Sequence, residues 1–165
     1  RLYLLALISI VLASCGSSRT ASEAKIHKTE KESEKKSAGK RSSIVKYAKT
    51  FEGTRYKFGG TSKKGMDCSG LIMTTFKKEN ISLPRTTSDL SKYGDWIDLK
   101  TVQKGDLIFF ATRKNSRRVN HVGIVTEVDA DDVEFIHAST SKGVMRSKLK
   151  ERYWYFAFVQ ARRVL

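Results

Sequence analysis

The sequence DCSGLIMTTF, residues 67–76, carries the strongest structural signal in this chain. Cysteine, leucine, isoleucine, threonine and phenylalanine occupy positions 68, 71, 72, 75 and 76, which is the spacing of one face of an α-helix. Asp67 precedes that face and is a residue type that caps helix N-termini, and Leu83-Pro84 lies beyond the far end. The pattern therefore predicts an amphipathic helix with the thiol of Cys68 at the head of its buried face.

A cysteine in this position is a candidate nucleophile. The unpaired N–H groups and the positive end of the helix dipole stabilise a thiolate, and an imidazole can take its proton. His121 and His137 follow in strand-like runs. Cys68 could instead be a small core residue and each histidine a structural one, but a set of one cysteine and two histidines favours catalysis.

The remaining pattern predicts helices first and a sheet second. A short helix is expected at residues 44–51, after Ser42-Ser43, and a helical turn near residues 88–93. Five strands are expected, at residues 107–111, 121–128, 133–138, 144–149 and 155–164. Helices followed by a run of strands indicate an α+β fold, with N-terminal helices packed on a five-stranded antiparallel sheet.

The alternation of side chains along strands tests whether the two histidines can meet. In a hairpin, His121 and His137 share a face only when the two residue numbers of each cross-strand pair add up to an even number. A four-residue turn at residues 129–132 with regular pairing would put His137 on the opposite face. The connecting loop must therefore hold an odd number of residues, or a bulge must interrupt the ladder.

Residues 1–14 predict a lipoprotein signal peptide whose n-region is truncated. Residues 2–13 form an apolar run of the length of a signal-peptide core, too short for a comfortable membrane span. Residues 12–15, LASC, have the form of a bacterial lipobox, so Cys15 is the expected lipidation site and would join the chain to a membrane; an ordinary secretory signal is the alternative. Lipid on Cys15 leaves Cys68 without a disulfide partner, which favours a free thiol.

The location expected from this signal is the cell envelope. Gly16 follows Cys15, and the absence of aspartate there favours, by analogy with known sorting, the outer membrane facing the periplasm. The net charge is +15, of which +10 falls on residues 44–165, and it favours anionic partners such as wall polymer or lipid headgroups. An exported lipoprotein rarely meets nucleic acid, so no nucleic-acid partner is expected.

Three segments follow from these patterns: the signal at 1–14, a lipidated cysteine with a flexible basic tether at 15–41, and a folded domain at 42–165. Residues 16–43 hold eight Lys/Arg, four Glu, no aromatic residue and one large aliphatic, Ile26, which is too little apolar surface for a core. No metal or cofactor is expected, because the histidines and cysteines lack zinc-like spacing and the carboxylates form no ligand cluster.

Six short motifs follow one another along residues 56–139. They are Tyr56-x-x-Gly59-Gly60, Asp67-Cys68-Ser69-Gly70-Leu71, Leu83-Pro84-Arg85, Gly105-Asp106-Leu107-Ile108-Phe109-Phe110, His121-Val122-Gly123-Ile124 and Phe135-Ile136-His137-Ala138-Ser139. In this order and rough spacing they resemble the NlpC family of bacterial cell-wall cysteine peptidases, over about residues 44–165. The short lipoprotein layout is similar to the small murein endopeptidases of that family.

The resemblance implies a papain-like core with Cys68 as nucleophile, His121 as general base and then acid, and His137 as the residue that orients the His121 ring. It implies a monomeric hydrolase of peptidoglycan stem peptides that cuts the D-glutamyl-diaminopimelate bond or a cross-link. Similar enzymes place the tyrosine matching Tyr56 near the oxyanion and the residues matching Asp67 and Ser69 against the substrate. Asp67 is equally available as the helix cap.

The chain departs from the family pattern in two places. Ser88-Asp89-Leu90 stand where many relatives have a glutamine, and a long basic insert at residues 112–120 precedes His121 and is expected at the rim of the cleft. Arg85 is expected to be structural. Two other functions stay open from the sequence: an acyltransferase on the same core, and a wall-binding lipoprotein without activity.

Overall fold

The computed structural model describes residues 18–130 and 132–165, with side chains described from residue 25 onward, leaving out residue 131. The predicted signal at residues 1–14 and the predicted lipidation site Cys15 lie outside the described residues. The chain divides between residues 35 and 36, and Lys36–Leu165 forms one compact unit. Within the described ranges, none of the helices combines the length and the hydrophobicity that a membrane span requires.

The first described element is a 32-residue helix, α1 (Ser18–Lys49). It corrects the prediction of a flexible tether that precedes a short helix at residues 44–51. The side chains of residues 25–36 are exposed, so they contribute to no core, as their composition predicts. Lysine, glutamate and alanine are good helix formers, and a segment too polar to build a core can therefore still be helical.

The predicted central helix is present as α2 (Cys68–Lys77). A short ribbon of β1 (Thr61–Ser62) and β2 (Gly65–Met66) precedes it. The helical turn predicted near residues 88–93 is α3 (Thr87–Leu90), which begins one residue earlier and is shorter.

A six-stranded antiparallel sheet completes the fold, and the α+β class is confirmed. Its strands are β3 (Asp95–Ile97), β4 (Leu107–Phe110), β5 (His121–Asp129), β6 (Asp132–Ser139), β7 (Gly143–Lys148) and β8 (Phe158–Arg163), in the order β3-β8-β4-β5-β6-β7. The predicted sheet has five strands and lacks β3. This edge strand has three residues, and their largely exposed side chains give no alternating pattern. The first part of the strand predicted at residues 155–164 is instead the end of a helix, α4 (Arg152–Ala157). Its aromatic residues favour strands in a sequence pattern, which explains the error.

Apolar side chains pack on both faces of this sheet. One core joins the sheet to α1 and α2, and its fully buried members include Ile44, Leu71, Ile72, Phe76, Leu107, Phe109, Ile124 and Ile136. The other core joins the opposite face to α4 and includes Ile108, Phe110, Val125, Phe135 and Trp154. The N-terminus of α2 and the first residue of β5 both lie at the border of these cores, where the candidate site is found.

A bulge in the β5-β6 hairpin decides how the histidines face. Near the turn, Asp129 pairs with Asp132 and Glu127 with Glu134, so that paired numbers sum to an odd value. Beyond Thr126 the register shifts, and Val125 pairs with Phe135, which makes the sum even. This is the interruption that the parity argument requires, and it places His121 and His137 on the same face.

Gly123 lies on that face between the two histidines, and its lack of a side chain is a steric requirement. A Cβ atom there would lie 2.7 Å from the ring of Phe135 and 3.0 Å from the carbonyl oxygen of Ile136. We therefore expect Gly123→Ala to lower the free energy of unfolding by about 1–3 kcal/mol, the usual cost of overpacking a core. Urea denaturation followed by circular dichroism measures it.

The matched control is Gly39→Ala in the exposed part of α1, where a Cβ would meet nothing within 4 Å. Alanine is the better helix former, so this control is expected to keep or raise the stability by up to about 1 kcal/mol. Equal stability of the Gly123→Ala and Gly39→Ala variants would contradict the steric argument.

Candidate active site

Cys68 is the first residue of α2, and the cap before it fixes that position. The backbone of Asp67 is extended, with φ −100° and ψ 174°, and its Oδ1 accepts a hydrogen bond from the N–H of Gly70 at 2.7 Å. Cys68 is 9% exposed. It is the one cysteine among the residues that the structure describes, and its thiol is free. The thiol thus lies at the head of the buried helix face, as the spacing predicts.

The surroundings of the Cys68 sulfur favour its protonated form. Burial raises the pKa of the Cys68 thiol and the charge of Asp67 raises it further, while a contact of 3.5 Å with Oγ1 of Thr87 and the N–H groups of Ser69 and Val122 offset part of the rise. The helix dipole by itself predicts a thiolate. Burial is the largest of the effects on the pKa of Cys68, and it favours the thiol at rest.

The two histidine rings are joined by a hydrogen bond. Nε2 of His121 lies 3.0 Å from Nδ1 of His137, and the second ring nitrogen of His137 lies 3.1 Å from Oγ of Ser147. His121 begins β5, His137 lies on β6 and Ser147 on β7. Three neighbouring strands therefore contribute one residue each to a continuous chain of polar groups.

Both imidazoles are neutral near pH 7. Burial lowers the pKa of His121 to about 4. Burial also lowers the pKa of His137 to about 3, with a further contribution from the charge that His121 acquires on protonation. The indole of Trp154 stacks on the His121 ring, with centroids 5.6 Å apart, and meets the His137 ring edge-on at 4.7 Å. Trp154 thus covers one face of the His121 ring, which still lines the cleft, and this cover weakens the solvation of a charged ring.

Asp67 is held by more than the helix. The guanidinium of Arg85 donates to both of its carboxylate oxygens, at 3.0 and 2.8 Å, and to Oγ of Ser69 at 2.7 Å. The N–H of Gly59 donates to Oδ2 at 2.7 Å. Burial by itself raises the pKa of Asp67, but these hydrogen bonds and that from Gly70 hold it below its usual value. Asp67 is therefore an ionised anchor that ties the loop before α2 to Arg85.

One cleft of about 650 Å³ collects most of these side chains. Its lining includes five of the six residues that the sequence predicts for catalysis and binding, namely Tyr56, Asp67, Cys68, Ser69 and His121. His137 lies behind His121 and lines an adjoining cavity of about 370 Å³ together with Ser147. Burial raises the pKa of Tyr56, so its hydroxyl stays protonated and able to donate a hydrogen bond.

The rim of the cleft includes an exposed aromatic residue and part of the basic insert. Phe58 is 88% exposed at the rim. Thr112, Arg113 and Asn120 of the insert also line the cleft, where the sequence places that segment. The side-chain carbonyl of Asn120 accepts a hydrogen bond from the N–H of Thr112 at 2.7 Å, which closes the insert at its base.

The fold and this set of residues agree with a known family. The model of the NlpC/P60 family matches residues 53–163, which is most of the described chain. The chain belongs to the NlpC/P60 family. The resemblance drawn from the six motifs is thereby confirmed.

Curated NlpC/P60 relatives are named as endopeptidases. A probable endopeptidase NlpC homolog of Haemophilus influenzae is 44% identical over 114 residues, which are 68% of this chain and 57% of that protein. The murein DD-endopeptidase MepS/murein LD-carboxypeptidase of Escherichia coli K12 is 37% identical over 126 residues, 76% of this chain and 63% of that protein. The chain therefore matches somewhat more than half of the length of each.

A solved NlpC/P60 structure shares the fold. The crystal structure of a family protein from Bacillus cereus has a TM-score of 0.68 and 31% sequence identity to this chain. The match covers 74% of this chain and 39% of that one.

Sequence reasoning missed three residues of this NlpC/P60 site. Trp154 was assigned to no element because its segment was not recognised as a helix, although a tryptophan beside charged and aromatic residues is a common contact residue. Ser147 gave no signal, because its pairing with His137 depends on the β6-β7 register. Arg85 was expected to be structural, and it does anchor Asp67, but its side chain is 37% exposed and also lines the cleft.

The hydroxyl of Thr87 lowers the pKa of the Cys68 thiol in this NlpC/P60 site. We expect Thr87→Val to raise that pKa and to slow alkylation of Cys68 by iodoacetamide at pH 8 by roughly three- to tenfold, the effect of losing one hydrogen bond. Mass spectrometry of the peptide that contains Cys68 separates it from Cys15. Thr87→Ser keeps the hydroxyl and serves as the control; an unchanged rate in Thr87→Val would contradict the role of this contact.

Proposed function

We propose that this chain is a peptidoglycan hydrolase that cleaves an amide bond of stem peptides through Cys68, His121 and His137. The observation that carries the proposal is the 3.0 Å contact between the His121 and His137 rings beside a cleft that also holds a buried thiol at a helix N-terminus. A nucleophile, a base and a group that orients the base are the parts that thiol hydrolysis requires. Membership of a family with named endopeptidases supports the same reaction.

The hydrogen bonds support an assignment of roles to the ring nitrogens. Nε2 of His121 is engaged with His137, so Nδ1 of His121 is the atom that accepts the thiol proton. Neutral His121 then carries its hydrogen on Nε2 and donates it to Nδ1 of His137, and His137 in turn donates from Nε2 to Oγ of Ser147. Every ring nitrogen has a defined role, and the His121 ring is held in one orientation.

The first half of the reaction forms a thioester. His121 takes the proton of Cys68 as the sulfur attacks the amide carbonyl carbon, because both groups are neutral at rest. The carbonyl oxygen gains the negative charge and meets the backbone N–H of Cys68 and the hydroxyl of Tyr56. When the C–N bond breaks, Nδ1–H of His121 protonates the departing amine.

The second half releases the acid. Neutral His121 takes a proton from water, the resulting hydroxide attacks the thioester, and the C–S bond breaks. The sulfur recovers its proton from His121. The products are a stem peptide with a new carboxylate and a free amine, and the protein returns to the neutral pair. No metal or cofactor enters either half.

The substrate class follows from the relatives and from the charge of the domain. We propose the D-glutamyl-diaminopimelate bond or a cross-link as the point of cleavage. A cross-link is included because the relative from Escherichia coli is named for DD-endopeptidase and LD-carboxypeptidase activities. Stem peptides carry carboxylates, and the net charge of +10 on residues 44–165 favours such a ligand. Asp67 and Ser69 are proposed to contact the peptide from the floor of the cleft, beside the exposed part of Arg85.

We also propose that the protein acts from the cell envelope. The lipobox form of residues 12–15 supports lipid attachment at Cys15. The polar segment that follows, residues 16–41, would hold the domain away from the lipid, so that it reaches the wall from the outer membrane as a monomer facing the periplasm. Nucleic acid is not among the proposed partners.

The direct test is mass spectrometry of purified peptidoglycan fragments after incubation with the full 165-residue chain in water enriched in ¹⁸O. We expect new stem-peptide products with one ¹⁸O in the new carboxylate, because water is the second nucleophile. Cys68→Ala is expected to abolish product formation while its circular dichroism spectrum stays that of the wild type. His121→Ala is expected to lower the rate by at least about 10³-fold.

Three results would speak against hydrolysis. Products formed equally by Cys68→Ala would exclude the thiol mechanism. Acyl products joined to an added amine, without ¹⁸O, would favour the acyltransferase. A folded wild-type chain whose Cys68 reacts with iodoacetamide but yields no products would favour a binding protein.

The pH dependence follows from the lowered pKa of His121. Protonated His121 cannot accept the thiol proton, so activity is lost as the pH falls through its pKa of about 4 and is retained above it. We expect the acid limb of kcat/KM near pH 4, measured from pH 3 to about 7 on a stem peptide with amidated carboxylates, whose amines stay largely protonated in that range. A limb near 6.5, the ordinary pKa of histidine, would contradict a buried base.

A further inference from the structure

A second groove opens beside the catalytic cleft. One wall is residues 111–114 of the basic insert, and the other is formed by Arg152, Tyr153, Phe156 and Ala157 of α4. Its volume is about 650 Å³, equal to that of the cleft. Thr112 and Arg113 line both spaces, so the groove begins where the cleft ends.

The two walls are joined by backbone contacts. The N–H of Ala111 donates to the carbonyl oxygen of Ala157 at 2.8 Å. The guanidinium of Arg117 donates to the carbonyl oxygen of Phe156 at 3.4 Å. The groove is therefore a feature of the fold, and its width is set by the junction of α4 and β4.

The lining combines exposed aromatic rings with positive charge. Phe156 is 67% exposed and Tyr153 is 57% exposed. Arg113, Lys114 and Arg152 surround them, and residues 111–120 contain no acidic residue. Tyrosine, phenylalanine and arginine are the residue types that interfaces favour, and the charge selects an anionic ligand.

We propose that this groove binds the glycan strand that carries the stem peptide, so that polymeric wall is the substrate. This inference rests on the proposed function. A stem peptide is attached to a sugar, and the polymer must leave the cleft along the surface of the protein. The groove provides that path, since aromatic rings stack on the C–H faces of pyranose rings and cations pair with carboxylates of neighbouring stem peptides.

The position of the site beside the cleft favours a chain-like ligand over a membrane surface. Aromatic and basic residues together also occur where proteins touch anionic bilayers. A bilayer is flat, however, and one that contacted this groove would cover the cleft beside it and close off the proposed substrate. A strand that lies along this open groove touches only one end of the cleft and leaves the rest of it accessible.

The test compares binding of the full chain to purified sacculi in a Cys68→Ala background, by co-sedimentation. We expect Phe156→Ala and the double variant Lys114→Gln/Arg152→Gln to weaken retention by about tenfold each, as for central interface residues. The control for the ring is Trp96→Ala on the edge strand β3, which is 61% exposed and lines neither the groove nor the cleft. Lys92→Gln/Lys100→Gln is the control for charge and is expected to change retention less than about twofold.

The same variants with Cys68 intact separate the groove from the chemistry. Hydrolysis of a free stem peptide without sugar is expected to stay within about twofold of the wild type, and hydrolysis of sacculi to fall with retention. If the wild type cuts neither substrate while the groove variants still lose retention on sacculi, the proposed hydrolase function is wrong, and the proposal that the groove binds the glycan strand is kept.

Three outcomes would overturn the glycan site. One is equal retention of groove and control variants, and a second is no retention of the Cys68→Ala chain on sacculi. The third is a loss of binding to phosphatidylglycerol vesicles in the groove variants with retention on sacculi unchanged, which would assign the surface to a membrane.

Discussion

The orientation of both histidines depends on one extra residue in β5. Thr126 has no partner of its own in the β5-β6 ladder, and the register shift at this point changes the parity of the pairs on its N-terminal side in β5, Val125 with Phe135 and Ile124 with Ile136. Its hydroxyl donates to Glu134 at 2.7 Å, and Glu134 also accepts a hydrogen bond from Arg146 on β7. The bulge is thus held by side chains of the next two strands, and the turn at the far end of the hairpin need not supply the parity change.

Once the histidines share a face, burial determines their chemistry. Each buried polar group requires a partner, and the strand order β5-β6-β7 supplies partners in sequence: His121, His137 and Ser147. The same burial keeps the imidazoles neutral and the thiol protonated. A neutral pair avoids the cost of two separated charges in an apolar site. In the proposed reaction, the charge would form only as the substrate carbonyl receives it.

The parts of this site that follow from local pattern could be predicted from the sequence. The spacing of apolar residues after Asp67 fixes α2, because a helix face needs no information from distant residues. The parity of the strands shows that a bulge is needed if the histidines are to meet. Its position could not be predicted, because nothing in the residues of β5 distinguishes Thr126. The extension of α1 was missed because low hydrophobicity excludes a core but does not exclude a helix. Arg85 and Ser147 act through contacts with residues 10–18 positions away, which only the tertiary fold brings together.

The helix that the sequence pattern missed links the two surfaces of the site. α4 is six residues long, so its inner and outer faces differ by one or two positions. Trp154 points inward and covers both histidine rings, while Tyr153 and Phe156 remain exposed at the groove. The junction of Ala111 with Ala157 holds this helix against the end of β4, next to His121. A polymer seated against the outer face would therefore contact the same turn of helix that covers the histidines, and the position of α4 would couple substrate binding to the geometry of the base.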